Sequence, residues 1–293
     1  MKKRISNIHV FMLLLGLLVL AACGTSTNDE ENATSGDAGT TDNAPAEGTN
    51  DEAAEEKPVL RIGTDAAFAP FEYMETGEMV GFDVDLLAAV MEEAGYEYEL
   101  EDAGWDPLFA YLQSEDLDLG VSAITITEER LESYDFSAPY FQSTHMIVFN
   151  EGGSITSAND LEGIKIGVQT GTTGEEAAEK IVGENNENIS KYDTTAVAFL
   201  ALANGDIEAV VTDNVVAAEY VKNNPNAGVE AITDEENFES EYYGYMFPKG
   251  SEIVDEISAA LTTVIENGTY NEIYQEWFGN EAEIDKLLEA AQE

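Results

Sequence analysis

The 293-residue chain carries one cysteine, Cys23, and two histidines, His9 and His145. A single thiol cannot close an internal disulfide, so the fold must stand on its apolar core. His9 lies in an amino-terminal apolar segment, which leaves His145 alone on a strand-like run. No Ser-His-Asp arrangement and no H-E-x-x-H spacing is present, so hydrolase and metallopeptidase chemistry find no support. No catalytic residue, cofactor or metal is expected. Basic residues are scarce: 12 Lys and Arg stand against 60 Asp and Glu, a net charge of −48. A surface of that sign repels polyphosphate, which excludes nucleic acid as a partner, and attracts cationic small molecules. Acids are so common that no carboxylate pair can be read as catalytic from the sequence. Long hydrophobic runs are missing too. Val10 to Leu20 is apolar for eleven residues, too short to span a bilayer as a mature helix.

What is present begins with Met1 to Arg4, three positive charges ahead of that run. Leu20-Ala21-Ala22-Cys23-Gly24 follows and resembles the lipobox of bacterial lipoproteins. The resemblance implies a signal peptide over residues 1–22 and a lipidated Cys23. One acyl chain binds only marginally, so stable anchoring implies more than one, of palmitate type. The protein is then expected on the outer face of the cell membrane, as in Gram-positive-like cells. Thr25 to Lys57 holds no aromatic and no large aliphatic residue. Residues 23–57 therefore read as a lipidated cysteine and a disordered acidic tether.

About 235 residues remain from Pro58, long for one core and suited to two lobes. Val59 to Thr64, Tyr96 to Leu100 and Leu117 to Ile124 read as strands, with helices over Val84 to Ala94 and Trp105 to Ser114 between them. This β-α-β-α-β order predicts a parallel sheet covered by helices. A second α/β pattern has strands at Ile164 to Val168 and Ala209 to Thr212, and helices at Glu175 to Val182, Val197 to Asn204 and Asn214 to Lys222. His145 to Phe149 and Tyr242 to Phe247 are apolar strands that could cross between the patterns. Helices over Ile253 to Asn267 and Tyr270 to Phe278 and a stripe from Ile284 to Ala291 complete the chain.

Ligands in open α/β sheets sit beyond the carboxyl ends of strands. Polar residues punctuate four such ends: Thr64-Asp65, Ser122 to Thr125, Gln169 to Thr173 and Thr212-Asp213. At the second, Thr125-x-x-Glu128 has capping-box spacing, with Thr127 a rival cap. Backbone N–H groups and Arg130 then fall within about one helical turn, a compact site for a carboxylate, or else a plain junction with a solvated arginine. Gly171-Thr-Thr-Gly174 lacks the Lys-Ser/Thr and the G-x-G-x-x-G of phosphate loops and is either an ordinary turn or a donor of N–H groups to a small anion. Asp213 reads as a helix N-cap or as a carboxylate aimed at a cation. Phe68, Phe71, Tyr73 and Trp105 lie in or beside strand-end loops, where one or two could sandwich a ligand.

Six motifs together resemble the polar amino-acid-binding proteins of ABC importers, bacterial extracellular solute-binding protein family 3. They are Gly63-Thr-Asp-Ala-Ala-Phe-Ala-Pro-Phe-Glu72, Gly81-Phe-Asp-Val-Asp-Leu86, Ile124-Thr-Ile-Thr-Glu-Glu-Arg130, Asp135-Phe-Ser-x-Pro-Tyr140, Gly167-Val-Gln-x-Gly-Thr-Thr-Gly174 and Gly268-Thr-Tyr-x-x-Ile-Tyr-x-x-Trp-Phe278. The resemblance runs from about Leu60 to Gly279. It implies a type II periplasmic-binding-protein-like fold, two α/β lobes joined by paired hinge strands, with 58–143 and 244–293 forming lobe 1 and 144–243 lobe 2. It implies that Arg130, with the backbone N–H groups of Thr125 and Thr173, grips an α-carboxylate, and Thr172 is a further ligand-binding residue. Asp213, with Ser122 and the Thr125 hydroxyl, would hold the α-ammonium, and Phe68 and Trp105 would flank the side chain. Ala123 stands where some relatives carry a hydroxyl, and Phe68 replaces a frequent tyrosine. Asp65, Glu72 and Gln169 would meet the side chain's far end. Two carboxylates there imply arginine, lysine or histidine, and Gly104-Trp-Asp-Pro-Leu-Phe109 and Glu239-Ser-Glu-Tyr-Tyr-Gly244 are similar to basic-amino-acid-binding members. A monomer that docks on importer permease subunits is expected. The alternatives are a polar ligand such as glutamine or cystine, or a cyclohexadienyl-dehydratase-like enzyme on the same fold.

Overall fold

A computed structural model describes residues 57–291. The expected signal peptide, Cys23 and nearly all of the tether lie outside the described residues. Lys57, the last residue assigned to the tether, is tied down: its ammonium donates to the carbonyl of Ala94 (2.6 Å), pairs with Glu256 and sits 4.2 Å from the centre of the Tyr96 ring. No helix among the described residues is long and apolar enough to cross a membrane.

The chain opens with β1 (Leu60–Thr64), then a small antiparallel sheet of β2 (Ala67–Phe68), β3 (Glu72–Glu75) and β4 (Glu78–Val80). Helix α1 (Phe82–Ala94) buries Phe82, Leu86, Leu87, Val90 and Met91 on one face and ends at Gly95 in the left-handed conformation. β5 (Tyr98–Asp102), α2 (Trp105–Gln113), β6 (Leu119–Gly120), α3 (Glu128–Ser133) and β7 (Tyr134–Phe136) follow. β8 (Phe141–Ser143) leads to β9 (His145–Asn150), β10 (Ile166–Gln169), α4 (Thr173–Val182), β11 (Ile189–Tyr192), α5 (Thr195–Asn204), β12 (Ala209–Asp213), α6 (Asn214–Asn223) and β13 (Val229–Thr233). β14 (Glu241–Tyr243) returns to β15 (Met246–Pro248), and α7 (Val254–Glu266), α8 (Thr269–Phe278) and α9 (Ile284–Ala290) close the fold.

Two five-stranded sheets result, ordered β5-β1-β6-β15-β7 and β11-β10-β12-β9-β13. Each is parallel where the β-α-β pattern predicts it and antiparallel beyond: β15 and β7 in the first, β9 and β13 in the second. The sequence reading missed the outer strands β7, β11 and β13, which are short and half polar. The fold is the two-lobed type II architecture, one α/β lobe on each sheet.

Of the two expected crossings, Tyr242 to Phe247 overlaps the returning strand, whereas His145 to Phe149 does not cross. His145 to Asn150 is apolar because it lies inside the second sheet, between β12 and β13. The crossing strands are the preceding β8 and the returning β14, paired antiparallel with Tyr243 opposite Phe141. Their rings stack 5.5 Å apart and meet Phe71, Phe82 and Phe278, so the crossing is anchored in the first lobe's aromatic core.

Candidate functional site

A cavity lies between the lobes, with about 330 Å³ of atom-free space counting its open mouth. Asp65, Phe68, Trp105, Ser122, Ala123, Thr125 and Arg130 line it from the first lobe, and Gln169, Thr172, Thr173 and Asp213 from the second. Every one sits at or just past a strand end or at a helix start, where backbone leaves the ladders and side chains face the cleft.

Arg130 owes its position to a short helix. Thr127 caps α3, its hydroxyl accepting from the Arg130 N–H at 3.1 Å, so the rival cap prevails over Thr125. Thr125 instead joins the crossing strand through a bridge to Tyr243, and Ile126 N donates to Tyr242 O. The Arg130 guanidinium donates to the carbonyl of Thr125 (2.8 Å) and across the cleft to that of Gly171 (3.2 Å). It packs 5.5 Å from the centre of the Trp105 ring and 5.4 Å from that of Phe109. Burial pushes it below the usual arginine range, while Glu176, Glu241 and Asp213 push back. It stays charged, with donors left over for a two-toothed grip on a carboxylate.

Asp213 begins α6 but makes no side-chain cap bond. Its carboxylate accepts from the Tyr243 hydroxyl instead, a buried contact at the crossing strands. Burial raises its pKa, opposed by His145, the Tyr243 hydroxyl and Arg130. A carboxylate freed from capping and facing the cavity is an acceptor for a cation.

Asp65 and Gln169 meet across the cleft. Gln169 takes the Thr195 N–H (3.2 Å) and hydroxyl (2.9 Å) on its carbonyl oxygen, which fixes the amide so that its NH₂ donates to Asp65 at 3.0 Å. Burial raises the Asp65 pKa, and Asp102 and Asp106 raise it further. No Lys or Arg among the described residues pairs with this carboxylate within 4 Å, so this end of the cavity is electronegative and unneutralised.

Glu72 lies elsewhere than expected. It is wholly buried behind Ser122, whose hydroxyl donates to it at 2.8 Å and accepts from Asp65 N at 3.1 Å. It sits beside Asp83, also wholly buried, which accepts from Ala123 N (2.8 Å) and the Tyr140 hydroxyl (2.7 Å). Both pKa values are raised chiefly by burial, that of Asp83 to about 6. The pair holds the Ser122-Ala123 backbone, where Ala123 takes a positive φ of 45°, rather than meeting a ligand. Thr172 spends its hydroxyl capping α4 and bonding Gln169 O, leaving its backbone for the cavity.

Glu241 is the functional candidate the sequence reading left unassigned. It starts β14 and accepts from the hydroxyls of Thr125 (3.0 Å) and Thr173 (3.2 Å), one from each lobe. Burial, then the charge of Asp213, lifts it to about 7. The signal was an acid at a strand start two residues before Tyr243, hidden among many acids. The arrangement thus offers a cation with anion-binding donors at one point, buried acceptors for a cation at a second, and an acidic end at a third.

The model of bacterial extracellular solute-binding proteins, family 3, matches residues 60–280. A probable histidine-binding protein of Neisseria gonorrhoeae is 38% identical over 92% of this chain and 94% of that one. The arginine-binding extracellular protein ArtP of Bacillus subtilis is 33% identical over 77% and 88%. The crystal structure of the arginine-, lysine-, histidine-binding protein ArtJ of Geobacillus stearothermophilus matches with a TM-score of 0.78 and 56% identity, covering 79% of this chain and 100% of that one. In sequence, motif order and lobe architecture alike, the chain belongs to the bacterial extracellular solute-binding proteins, family 3.

Proposed function

We propose that this protein captures a cationic amino acid (arginine, lysine or histidine) between its lobes and delivers it to an ABC importer. The carrying observation is the buried Asp65 carboxylate, without a cationic partner among the described residues, across a cavity that also holds Arg130 and Asp213. A zwitterion leaving water needs both its charges paired, or desolvation defeats binding. Arg130 and the N–H groups at Thr173 suit the α-carboxylate; Asp213, with lone pairs of Ser122 and Thr125, suits the α-ammonium. Asp65 then neutralises the side chain's charge, with Phe68 and Trp105 flanking its stem. Relatives named for arginine, histidine and lysine support this reading. The lobes, 58–143 with 244–293 and 144–243, close about β8 and β14, and lipid on Cys23 holds the monomer at the membrane's outer face beside its permease. The chain acts as a carrier, without turnover. Calorimetry with each of the twenty amino acids tests the ligand: arginine, lysine or histidine should bind tightest. Tight glutamine or glutamate binding without arginine or lysine binding overturns the assignment.

A further inference from the structure

Three side chains at the crossing strands form a cluster that amino acid capture leaves partly unused. His145 opens β9 directly opposite Asp213 of β12, and Glu241 opens β14 beside them. The His145 Nε2 lies 3.8 Å from Asp213 Oδ1 and 3.8 Å from Glu241 Oε1, too far for a hydrogen bond to either. That nitrogen is buried and has no hydrogen-bond partner among the described residues, and the His145 side chain is only 6% exposed. One ligand atom from each residue falls within 4.8 Å of the others. An unspent, buried imidazole nitrogen thus lies within 4 Å of two carboxylate oxygens at the edge of a groove.

We propose that His145, Asp213 and Glu241 form a binding site for a divalent transition-metal ion of the zinc type, sharing Asp213 with the amino acid site. Zinc–nitrogen and zinc–oxygen bonds of about 2.0–2.2 Å in a tetrahedron put ligand atoms roughly 3.4 Å apart, so the imidazole needs to approach each carboxylate by about 0.4 Å and the two carboxylates, within 4.8 Å of each other, to close by at most about 1.4 Å. One nitrogen and two carboxylates suit such an ion better than calcium or magnesium, which take six or more oxygens. The Tyr243 hydroxyl holds the other Asp213 oxygen and so acts as an outer partner. The Thr125 and Thr173 hydroxyls both donate to Glu241 Oε1, so the ion takes Glu241 through Oε2 or displaces one of these bonds. A surface groove with about 920 Å³ of atom-free space counting its open mouth, lined by His145, Glu241 and the exposed acid Glu239, gives an entry path and room for a water as fourth ligand.

Calorimetric titration of the metal-stripped full chain with zinc chloride, without amino acid, tests the site. One ion per chain is expected, its affinity falling more than about tenfold in His145→Ala and in Glu241→Gln with circular dichroism unchanged. No saturable binding, or binding that survives His145→Ala, overturns the proposal. Should His145→Ala fail to fold, cobalt(II) on the unaltered chain decides: intense visible bands of a four-coordinate ion support the site, and weak bands of an octahedral ion on surface carboxylates refute it. The shared ligand rests on Asp213 as the ammonium partner. Saturating zinc should weaken arginine binding about tenfold. Zinc binding that leaves arginine affinity unchanged removes Asp213 from one of the two sites, whereas loss of arginine binding without zinc strikes the transport reading alone.

Discussion

Two acidic pairs flank the cavity, and they differ in what their oxygens do. Glu72 and Asp83 are sealed under the Ser122-Ala123 turn, and the bonds seen there come from Ser122, Ala123 and Tyr140. Asp213 and Glu241 also have raised pKa values from burial, but Arg130 and His145 act on Asp213 and the cavity touches it. The first pair fixes backbone; the second retains capacity for a cation. A buried acid therefore reads as structure or as site by whether its acceptor sites face protein or open space.

The largest effect that would break this contrast is on binding. Arg130→Ala and Asp213→Ala should each cost about 3–5 kcal/mol of arginine affinity, because each strands an opposite charge, with the circular dichroism spectrum intact. Micromolar affinity kept in either variant would mean the site is misplaced. Next in size is a stability effect at the sealed pair. Asp83 titrates at about 6 in the fold against an ordinary 3.8, so the folded state holds its proton more tightly. Its contribution is full below pH 4 and is lost as pH rises through 6, a change of about 3 kcal/mol. Urea unfolding at pH 4 and pH 7 should show that loss shrinking in Asp83→Asn while arginine binding persists. A variant as pH-dependent as the parent would remove Asp83 from the account.

A smaller effect sharpens the ligand end. Asp65→Asn should lower arginine affinity about tenfold or more and narrow the gap between arginine and glutamine, read by competitive calorimetry. An unchanged ratio would detach selectivity from Asp65. Smallest is the cap: Thr127→Ala should cost about 1 kcal/mol in unfolding free energy, whereas a Thr125→Ala change should act on binding instead. Loss of stability from Thr125 alone would restore it as the cap.

Much of this was legible in the sequence because local chemistry decided it. Strand ends followed by hydroxyls, a glycine turn and an arginine one helical turn on place Ser122, Thr125, Arg130 and Thr173 where they lie. The lobes followed from alternating strands and helices. What was not legible depended on pairing between distant segments. Glu72 looked like a site acid, but its strand turns it inward onto Asp83. Glu241 and Glu239 are two residues apart in one acidic run, yet the side chain of one is 13% exposed and that of the other 89%. Glu241 pairs with β8 and is covered by Thr125, Thr173 and His145, residues far away in sequence, which sets that difference. His145 to Phe149 was read as a crossing because a strand buried on both faces carries the same apolar signature wherever it lies.

The carbonyl of Gly171 receives both Trp105 Nε1 (3.3 Å) and Arg130 from the opposite lobe, at a residue with φ of 70°. This clasp uses a main-chain acceptor, which no substitution at position 171 can delete. A side chain there would strain the turn and alter the angle of the clasp, but the oxygen would remain. The acceptor half of this clasp is thus fixed by the main chain, and only its donors, Trp105 and Arg130, can be lost by substitution.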